Sequence, residues 1–196
     1  MTITVIGTAG TRAIRALFLL EELGLEYTHE KEFPRSERVR AVNPLGTVPV
    51  LITDETIITD SVAILYHLSD RHGRMTYPPG SAQRATLDAR INFLTTDLEA
   101  PLWALAKHSF VLPEEDRDAA VKPAMRAEFH RAEARFAELL GDGPWVMGKD
   151  FTIADIMAAH IARWAVNAKL GLENKVFEDY FARIQERPAW RRANET

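Results

Sequence analysis

Strand-like and helical patterns of hydrophobic and polar residues alternate along the chain up to about residue 73, and beyond it only the helical pattern continues. Residues 2–6 are β-branched throughout, which predicts a buried strand. A loop follows at 7–10, and apolar residues at helical spacing then predict a helix from Thr11 to Leu23. Gly24 suits the position directly after a helix, and residues 26–33 predict a second strand.

Residues 35–58 carry signals for a short helix and a hairpin. Residues 35–41 predict a short charged helix or an irregular segment, and 48–58 predict two strands joined by a tight polar turn. Pro49 lies inside the first strand, and proline is tolerated in a sheet only at an edge, a strand start or a bulge. A cis bond there, at the head of an edge strand, would turn the Val48 backbone N–H and C=O outward, where they could pair with an extended peptide.

The next helix begins after two residues with capping side chains. Asp60 and Ser61 both suit the N-cap, with Ser61 favoured, and the helix is expected to run to His72 and end at Gly73. The free N–H groups of such a helix start attract a carboxylate, and the Asp60 carboxylate attracts an ammonium, so together they would hold an α-amino acid head group. The β-α-β-α-β-β-α order predicts a thioredoxin-like α/β domain over residues 1–73.

Beyond residue 73 the pattern is helical to the end of the chain. Residues 74–82, with Pro-Pro-Gly at their centre, predict a linker, and 83–196 predict an all-α second domain. The expected helices include Arg84–Phe110, kinked at Pro101, and Glu114–Leu140, broken near Pro123.

A complete helix-start signal stands at residues 151–156. Thr152 is the expected N-cap, Asp155 three residues later completes a capping box, and Phe151 can pack on Ile156 as a hydrophobic staple. The helix that follows is apolar on several faces, which predicts the central helix of the second domain.

Composition restricts the classes of function. Hydrophobic residues make up 46% and charged residues 27% of the chain, as in ordinary soluble globular proteins, and the net charge of −4 offers no basic surface to nucleic acid. The absence of cysteine excludes disulfides and a glutaredoxin-like reductase, and the six histidines lack metal-ligand spacing. No apolar run approaches the ~20 residues of a membrane span and no signal peptide is evident, so the cytoplasm is the expected location.

The motif around Val48 and the following helix start resemble the glutathione-binding half of the glutathione S-transferase family. The residues that carry the resemblance are Asn43-Pro44-x-Gly46-x-Val48-Pro49 and Asp60-Ser61-x-Ala63-Ile64. The resemblance implies that Val48, before Pro49, pairs with the cysteinyl backbone of glutathione and that Asp60 and Ser61 hold its γ-glutamyl group. Arg40, with Arg35, stands where the family often has a cation for the glycyl end. Matching segments further along are Trp145-Val-Met-Gly148 and Arg187-Pro188-Ala-Trp190.

Such a protein must stabilise the thiolate of glutathione, and the loop after the first strand holds the groups that could do so. A hydroxyl donor, a helix N-terminus and a nearby cation each favour a thiolate. Thr11 is the preferred donor, because the first helix resembles a bacterial and fungal branch that reads Ser-Arg-x-x-Arg, with Thr11 in place of the serine. Thr8 is the second choice as donor, and Arg12 and Arg15 are possible cations. Another alignment register places Gly10 at the reactive position, so that only backbone N–H groups could stabilise the thiolate. The alternative that Thr11 is only an N-cap stays open.

The electrophile is expected on the helical domain. Aromatic and polar side chains on the first long helix and on the central helix are its candidate contacts: Trp103, Lys107, His108, Phe110 and Trp164, with Trp103 and Phe110 preferred.

Three functions remain open on the sequence. The first is a glutathione transferase acting on small hydrophobic electrophiles, with glutathione as co-substrate, no metal and, as the resemblance implies, a homodimeric assembly. The second is a glutathione-dependent lyase or isomerase of one metabolite. The third is a non-catalytic binding protein of the same fold. The absence of tyrosine, serine and cysteine from the position that would face the thiol is the best argument for it.

Overall fold

A computed structural model of the protein describes residues 2–195, which divide into two compact units. One unit takes in the chain up to Pro78 together with the segment from Ile184 onward, and the other spans Pro79–Arg183. The elements in chain order are β1 (Ile3–Ile6), α1 (Ala13–Leu23), β2 (Thr28–Glu30), α2 (Glu37–Val42), β3 (Val50–Thr53), β4 (Ile57–Ile58), α3 (Ser61–His72), α4 (Ala82–Phe93), α5 (Ala100–Ala106), α6 (Val121–Leu140), α7 (Ile153–Asn167), α8 (Lys175–Gln185) and α9 (Pro188–Glu195).

The first unit is built on a four-stranded mixed sheet in the order β2-β1-β3-β4. β1 pairs in parallel with β2, while β3 runs antiparallel to both β1 and β4. Ile6, the last residue of β1, lies opposite Val50, the first residue of β3, so the chain after β1 emerges beside the chain that enters β3. This sheet with its helices, followed by a helical unit, confirms the fold class expected from the sequence.

Helix α1 is the buried centre of the first unit. Its sequence is apolar on most sides, and it ends where Gly24 adopts a left-handed conformation with φ of 70°. Helix α9 belongs to the same unit: the Trp190 ring packs edge-on against Phe18 at 5.2 Å, and Arg187 pairs with Glu22. The C-terminal segment, which the sequence-based boundaries assign to the helical domain, thus packs with α1.

The second unit contains a continuous helical stretch from Ala82 to Val111 whose hydrogen bonding changes along its length. A π-helical segment, Leu94–Glu99, precedes α5, and a second one, Lys107–Val111, follows it. Pro101 therefore lies in the first turn of α5, directly after the π segment, where its missing N–H is tolerated.

Helix α6 begins later than the sequence pattern suggested. Residues Glu114–Asp116 form a separate 3₁₀ turn, and α6 starts at Val121 rather than at Glu114. Pro123 accordingly falls in the first helical turn, a position that needs no N–H donor, instead of breaking a longer helix.

The capping box at the start of α7 is confirmed. The Asp155 carboxylate accepts hydrogen bonds from the backbone N–H groups of Thr152 and Val146, both at 2.8 Å, and from the Tyr180 hydroxyl at 2.7 Å. Burial raises the pKa of Asp155 to about 6, while these hydrogen bonds act in the opposite direction. Among residues 2–195, the helices are all too short or too polar to span a bilayer.

Candidate functional site

Gly7 lets the end of β1, the start of α1 and the segment before β3 approach one another closely. Its φ is +133°, and a Cβ built there would lie 2.9 Å from the Ala13 Cβ and 3.0 Å from the Val48 Cβ. Both the backbone angle and the space therefore require glycine. The sequence marked this residue only as part of a loop, because its neighbours are distant in the chain.

The Thr11 hydroxyl is engaged within the loop. It donates to the Thr8 carbonyl at 2.8 Å and accepts from the Ala13 N–H at 3.2 Å. Helix α1 begins at Ala13, two residues later than expected, and Arg12 in the N-cap position has no side-chain capping bond. Thr11 thus stabilises the helix start, and its proton has an internal acceptor.

Thr8 offers a different environment for a ligand. Its side chain is half-buried, and neither its hydroxyl nor its backbone N–H has a hydrogen-bond partner within the described residues 2–195. A Cβ placed on Gly10 would meet the Thr8 Oγ1 at 3.9 Å, an ordinary van der Waals contact, so the glycine does not crowd this hydroxyl.

Val48 presents unpaired backbone next to the sheet. The Val48–Pro49 bond is cis, and sheet pairing starts only at Val50, so proline lies just before β3, which is an inner strand rather than the expected edge strand. Within the described chain, the N–H and C=O groups of Val48 make no hydrogen bond. Asn43 holds the preceding turn, since its side-chain amide donates to the carbonyl and to the hydroxyl of Thr47, each at 2.9 Å.

At the start of α3 the N-cap is Asp60 and not Ser61, which the sequence favoured. Asp60 is the N-cap, and its Oδ1 accepts from the N–H groups of Val62 and Ala63, both at 2.9 Å. Ser61 is the first helical residue and is buried, and its Oγ accepts a hydrogen bond from Arg15 Nη1 at 3.0 Å. Ser61 did not become the cap because its side chain faces the interior, where the guanidinium binds it.

Arg15 is among the largest fully buried side chains of the described chain, with 1% of its surface exposed. The sequence suggested it as a cation near the thiol, whereas the structure places its guanidinium against Ser61. The sequence did carry a sign of this burial, because Arg15 is a charged residue within a helix that is apolar on nearly every side. A buried charge requires polar partners, and Ser61 is one of them.

The other candidate cations of the first unit lie directly before α1 and around α2. Arg12 stands directly before α1 and is half-buried. Arg40 is exposed on α2, where its Nε donates to the Arg35 carbonyl at 3.1 Å, and Arg35 in turn donates its N–H to the Gly46 carbonyl at 2.8 Å.

The aromatic candidates lie on the helical unit. Trp103 and Trp164 are brought together, with ring centroids 6.4 Å apart, and the Trp164 ring also lies 5.7 Å from buried His160, which sequence reasoning missed. Trp103 is 37% exposed and Phe110 is 70% exposed, so both have surface to offer a ligand.

His108 is partly engaged by its own unit. Its Nδ1 accepts a hydrogen bond from the Asp118 N–H at 3.0 Å, so in a neutral ring the proton resides on Nε2. His108 and Phe110 both belong to the second π-helical segment. Among residues 2–195, no group of three or more histidine, cysteine or acidic side chains is arranged to hold a metal ion.

Comparisons with known proteins agree with this geometry. Family models for the glutathione S-transferase N-terminal domain and C-terminal domain match residues 11–71 and 119–192. The glutathione S-transferase GstA of Escherichia coli O157:H7 is 30% identical over 189 residues, which cover 91% of this chain and 90% of that protein. A thioredoxin-like unit followed by a helical unit is the architecture of glutathione S-transferases. The chain belongs to the glutathione S-transferase family.

Two further comparisons bear on function. The theta class glutathione S-transferase of Xanthomonas axonopodis pv. citri, solved with glutathione bound, superimposes with a TM-score of 0.80 at 27% identity, covering 100% of this chain and 98% of that one. Elongation factor 1-gamma of Trypanosoma cruzi is 30% identical over 144 residues, which cover 71% of this chain but 32% of that protein.

Proposed function

We propose that this protein is a glutathione transferase that joins the thiolate of glutathione to small hydrophobic electrophiles. The observation that supports the proposal is the approach of Val48 to Gly7, because the backbone groups of Val48, which are unpaired within the described chain, then lie beside the loop that holds Thr8. A peptide paired with the free N–H and C=O of Val48 would have its cysteinyl side chain near this loop.

The start of α3 is the proposed site for the γ-glutamyl end. The Ser61 N–H and hydroxyl, together with the positive end of the helix dipole, suit the α-carboxylate. One oxygen of Asp60 caps the helix, which leaves Oδ2 for the ammonium group. Arg40 is the proposed partner of the glycyl carboxylate, since it is exposed and carries its charge near the turn before Val48.

Thr8 is the proposed donor to the thiolate, with Arg12 as a nearby cation and Thr11 as the residue that shapes the loop. A free thiol has a pKa near ~8.5, and a hydrogen bond to the charged form lowers it. The sulfur then forms a bond to the electrophilic carbon, the leaving group departs with its electron pair, and the thiol proton passes to solvent. Trp103 and Phe110, with Trp164 and His108, are the proposed contacts for the electrophile.

The experiment is a conjugation assay with an aryl chloride, run across pH on the wild type, Thr8→Val and Thr11→Val. Valine keeps the shape of threonine and removes only the hydroxyl. We expect Thr8→Val to lower kcat/KM near neutral pH by about 10-fold or more, and Thr11→Val to act mainly on stability. The opposite ranking would transfer the donor role to Thr11.

A non-catalytic glutathione-binding protein is the second candidate. The engaged proton of Thr11 and the similarity to an elongation factor 1-gamma favour it. It would be supported if the wild type binds glutathione and yet conjugates no faster than the uncatalysed reaction. As the setting for the transferase we propose a homodimer in the cytoplasm, the habit that the family resemblance implies, and sedimentation of the wild type would test the dimer.

A further inference from the structure

His29 on β2 forms a hydrogen bond to the loop that carries Thr8. Its Nε2 lies 2.7 Å from the Gly7 carbonyl oxygen, at the short end of the range for N–H···O bonds. A carbonyl can only accept, so Nε2 carries the proton and donates it. The other ring nitrogen, Nδ1, is buried and has no hydrogen-bond partner within the described chain.

Gly7 is held from both sides of its backbone by β2. Besides the bond from His29 to its carbonyl, its N–H donates to the Glu30 carbonyl at 2.9 Å. The Glu30 side chain is itself held by the guanidinium of Arg38, with N···O distances of 2.7 and 3.1 Å. A glycine at a φ of +133° could adopt many other conformations, so these bonds select one of them.

The hydrogen bond from His29 to the Gly7 carbonyl also affects the N–H of the next residue, Thr8. The Gly7 carbonyl and the Thr8 N–H belong to the same planar trans peptide and point in opposite directions. A donor on the carbonyl therefore fixes the direction of the Thr8 N–H, and it also polarises that N–H into a stronger donor. Neither the Thr8 N–H nor its hydroxyl has a partner within residues 2–195, so both are available to a ligand.

We propose that His29 is a positioning residue for thiol activation, which orients the Gly7–Thr8 peptide so that the donors of Thr8 face the sulfur of glutathione. This inference rests on the proposed function. It assigns a role in the chemistry to a residue on β2 that is expected to touch neither substrate.

The test compares His29→Leu with His29→Gln. Leucine fills a similar volume without a donor, whereas the glutamine side-chain amide can place an N–H near the position of Nε2. The pKa of bound glutathione thiol is followed by ultraviolet thiolate absorbance, and kinetics are measured with an aryl chloride. In the free proteins, NMR shifts of the Gly7 carbonyl carbon and the Thr8 amide report the peptide directly. His72→Leu, at the far end of α3, is the matched control.

For His29→Leu we expect a bound-thiol pKa higher by about 0.5–1, kcat/KM lower by about 3- to 10-fold near neutral pH, and a KM for glutathione within about twofold of wild type. The Gly7 and Thr8 resonances should move as well. His29→Gln should recover at least half of each change, and His72→Leu should match the wild type.

Three results would overturn the inference, and they point to different causes. Equal bound-thiol pKa values in wild type and His29→Leu would remove His29 from the chemistry and leave the transferase proposal standing. Equal changes in the leucine and glutamine variants would assign the effect to ring packing. A wild type that does not lower the thiol pKa would overturn both the inference and the proposed function.

Discussion

Arg15 donates a hydrogen bond from Nη1 to the Ser61 Oγ across 3.0 Å, and both side chains are buried. The bond joins α1 to the first residue of α3. Because the serine oxygen accepts from a cation, its own proton is free to point elsewhere and becomes a stronger donor. In the proposed glutathione complex the Ser61 hydroxyl donates a hydrogen bond to the γ-glutamyl carboxylate.

Replacing Arg15 by Met should weaken glutathione binding. The effect acts through the proposed hydrogen bond from Ser61 to the γ-glutamyl carboxylate: a bond to a charged group contributes about 1.5–3 kcal/mol, so its complete loss corresponds to roughly a 10- to 100-fold increase in Kd. Ser61→Ala should act in the same direction, and the double variant should be less impaired than the product of the two effects. Calorimetric titration measures all three.

Arg71→Met removes the same charge from an exposed pair with Glu55 and is the control, with Kd expected within about twofold of wild type. If the effects of the Arg15 and Ser61 substitutions on Kd simply multiply in the double variant, the proposed coupling of the two residues in glutathione binding is wrong.

Gly7→Ala should destabilise the first unit strongly. The added Cβ would meet Ala13 at 2.9 Å and Val48 at 3.0 Å, at a φ that non-glycine residues rarely adopt. Steric overlap and backbone strain together predict a loss of about 2–5 kcal/mol in the free energy of unfolding. Gly10→Ala in the same loop would make only an ordinary van der Waals contact, with the Thr8 Oγ1 at 3.9 Å, and should change stability by less than about 1 kcal/mol. Urea denaturation of both variants is the measurement, and similar losses in the two would show that the close approach at Gly7 is absent.

Trp190→Ala should destabilise the thioredoxin-like unit, although the residue lies near the end of the chain. Trp190 is 6% exposed and its ring packs against Phe18 in α1. Truncation of a buried tryptophan costs about 3–5 kcal/mol. Phe33→Ala, at a position that is 72% exposed in the same unit, should cost about 0.5 kcal/mol or less. Hydrogen exchange of the α1 amides would locate the effect, and unchanged protection of α1 would argue against this packing.

Stability of the helical unit should depend on the titration of Asp155. Its pKa is raised from 3.8 to about 6 by burial, so the folded state holds the proton more tightly than the unfolded state does. The resulting stabilisation is complete below about pH 4 and is lost as the pH rises through 6, a change of about 3 kcal/mol. Asn at this position does not titrate. The difference in unfolding free energy between wild type and Asp155→Asn should therefore fall by that amount between pH 4 and 7, whereas a pH-independent difference would contradict the prediction.

Local signals in the sequence were sufficient for most of the fold. Gly24 and the Thr152–Asp155 box mark helix ends through interactions among neighbours in the chain, and both are found as expected. Sequence patterns could not choose between Asp60 and Ser61 as the cap, because the choice depends on Arg15, which is 46 residues away. For the same reason the packing of α9 on α1 could not be foreseen.

The backbone features at Val48 and at the start of α3 were easier to predict than the hydrogen bonds of the threonines in the loop. Val48 and the start of α3 are marked by proline and by capping residues, which act locally. The roles of Thr8 and Thr11 depend on which hydroxyl finds an internal acceptor, and that follows from loop geometry made possible by Gly7. His29 gave no signal, since its bond to Gly7 joins residues 22 apart.

The most direct test of the account is the pKa of glutathione thiol bound to the wild-type protein, read from ultraviolet thiolate absorbance across pH. Donors from Thr8 and the start of α1 should stabilise the thiolate, so the bound thiol should titrate about 1–2 pH units below free glutathione, and Thr8→Val should reverse most of that change. Glutathione that binds with an unaltered thiol pKa would contradict the proposed transferase, and the protein would then be a binding module of this family.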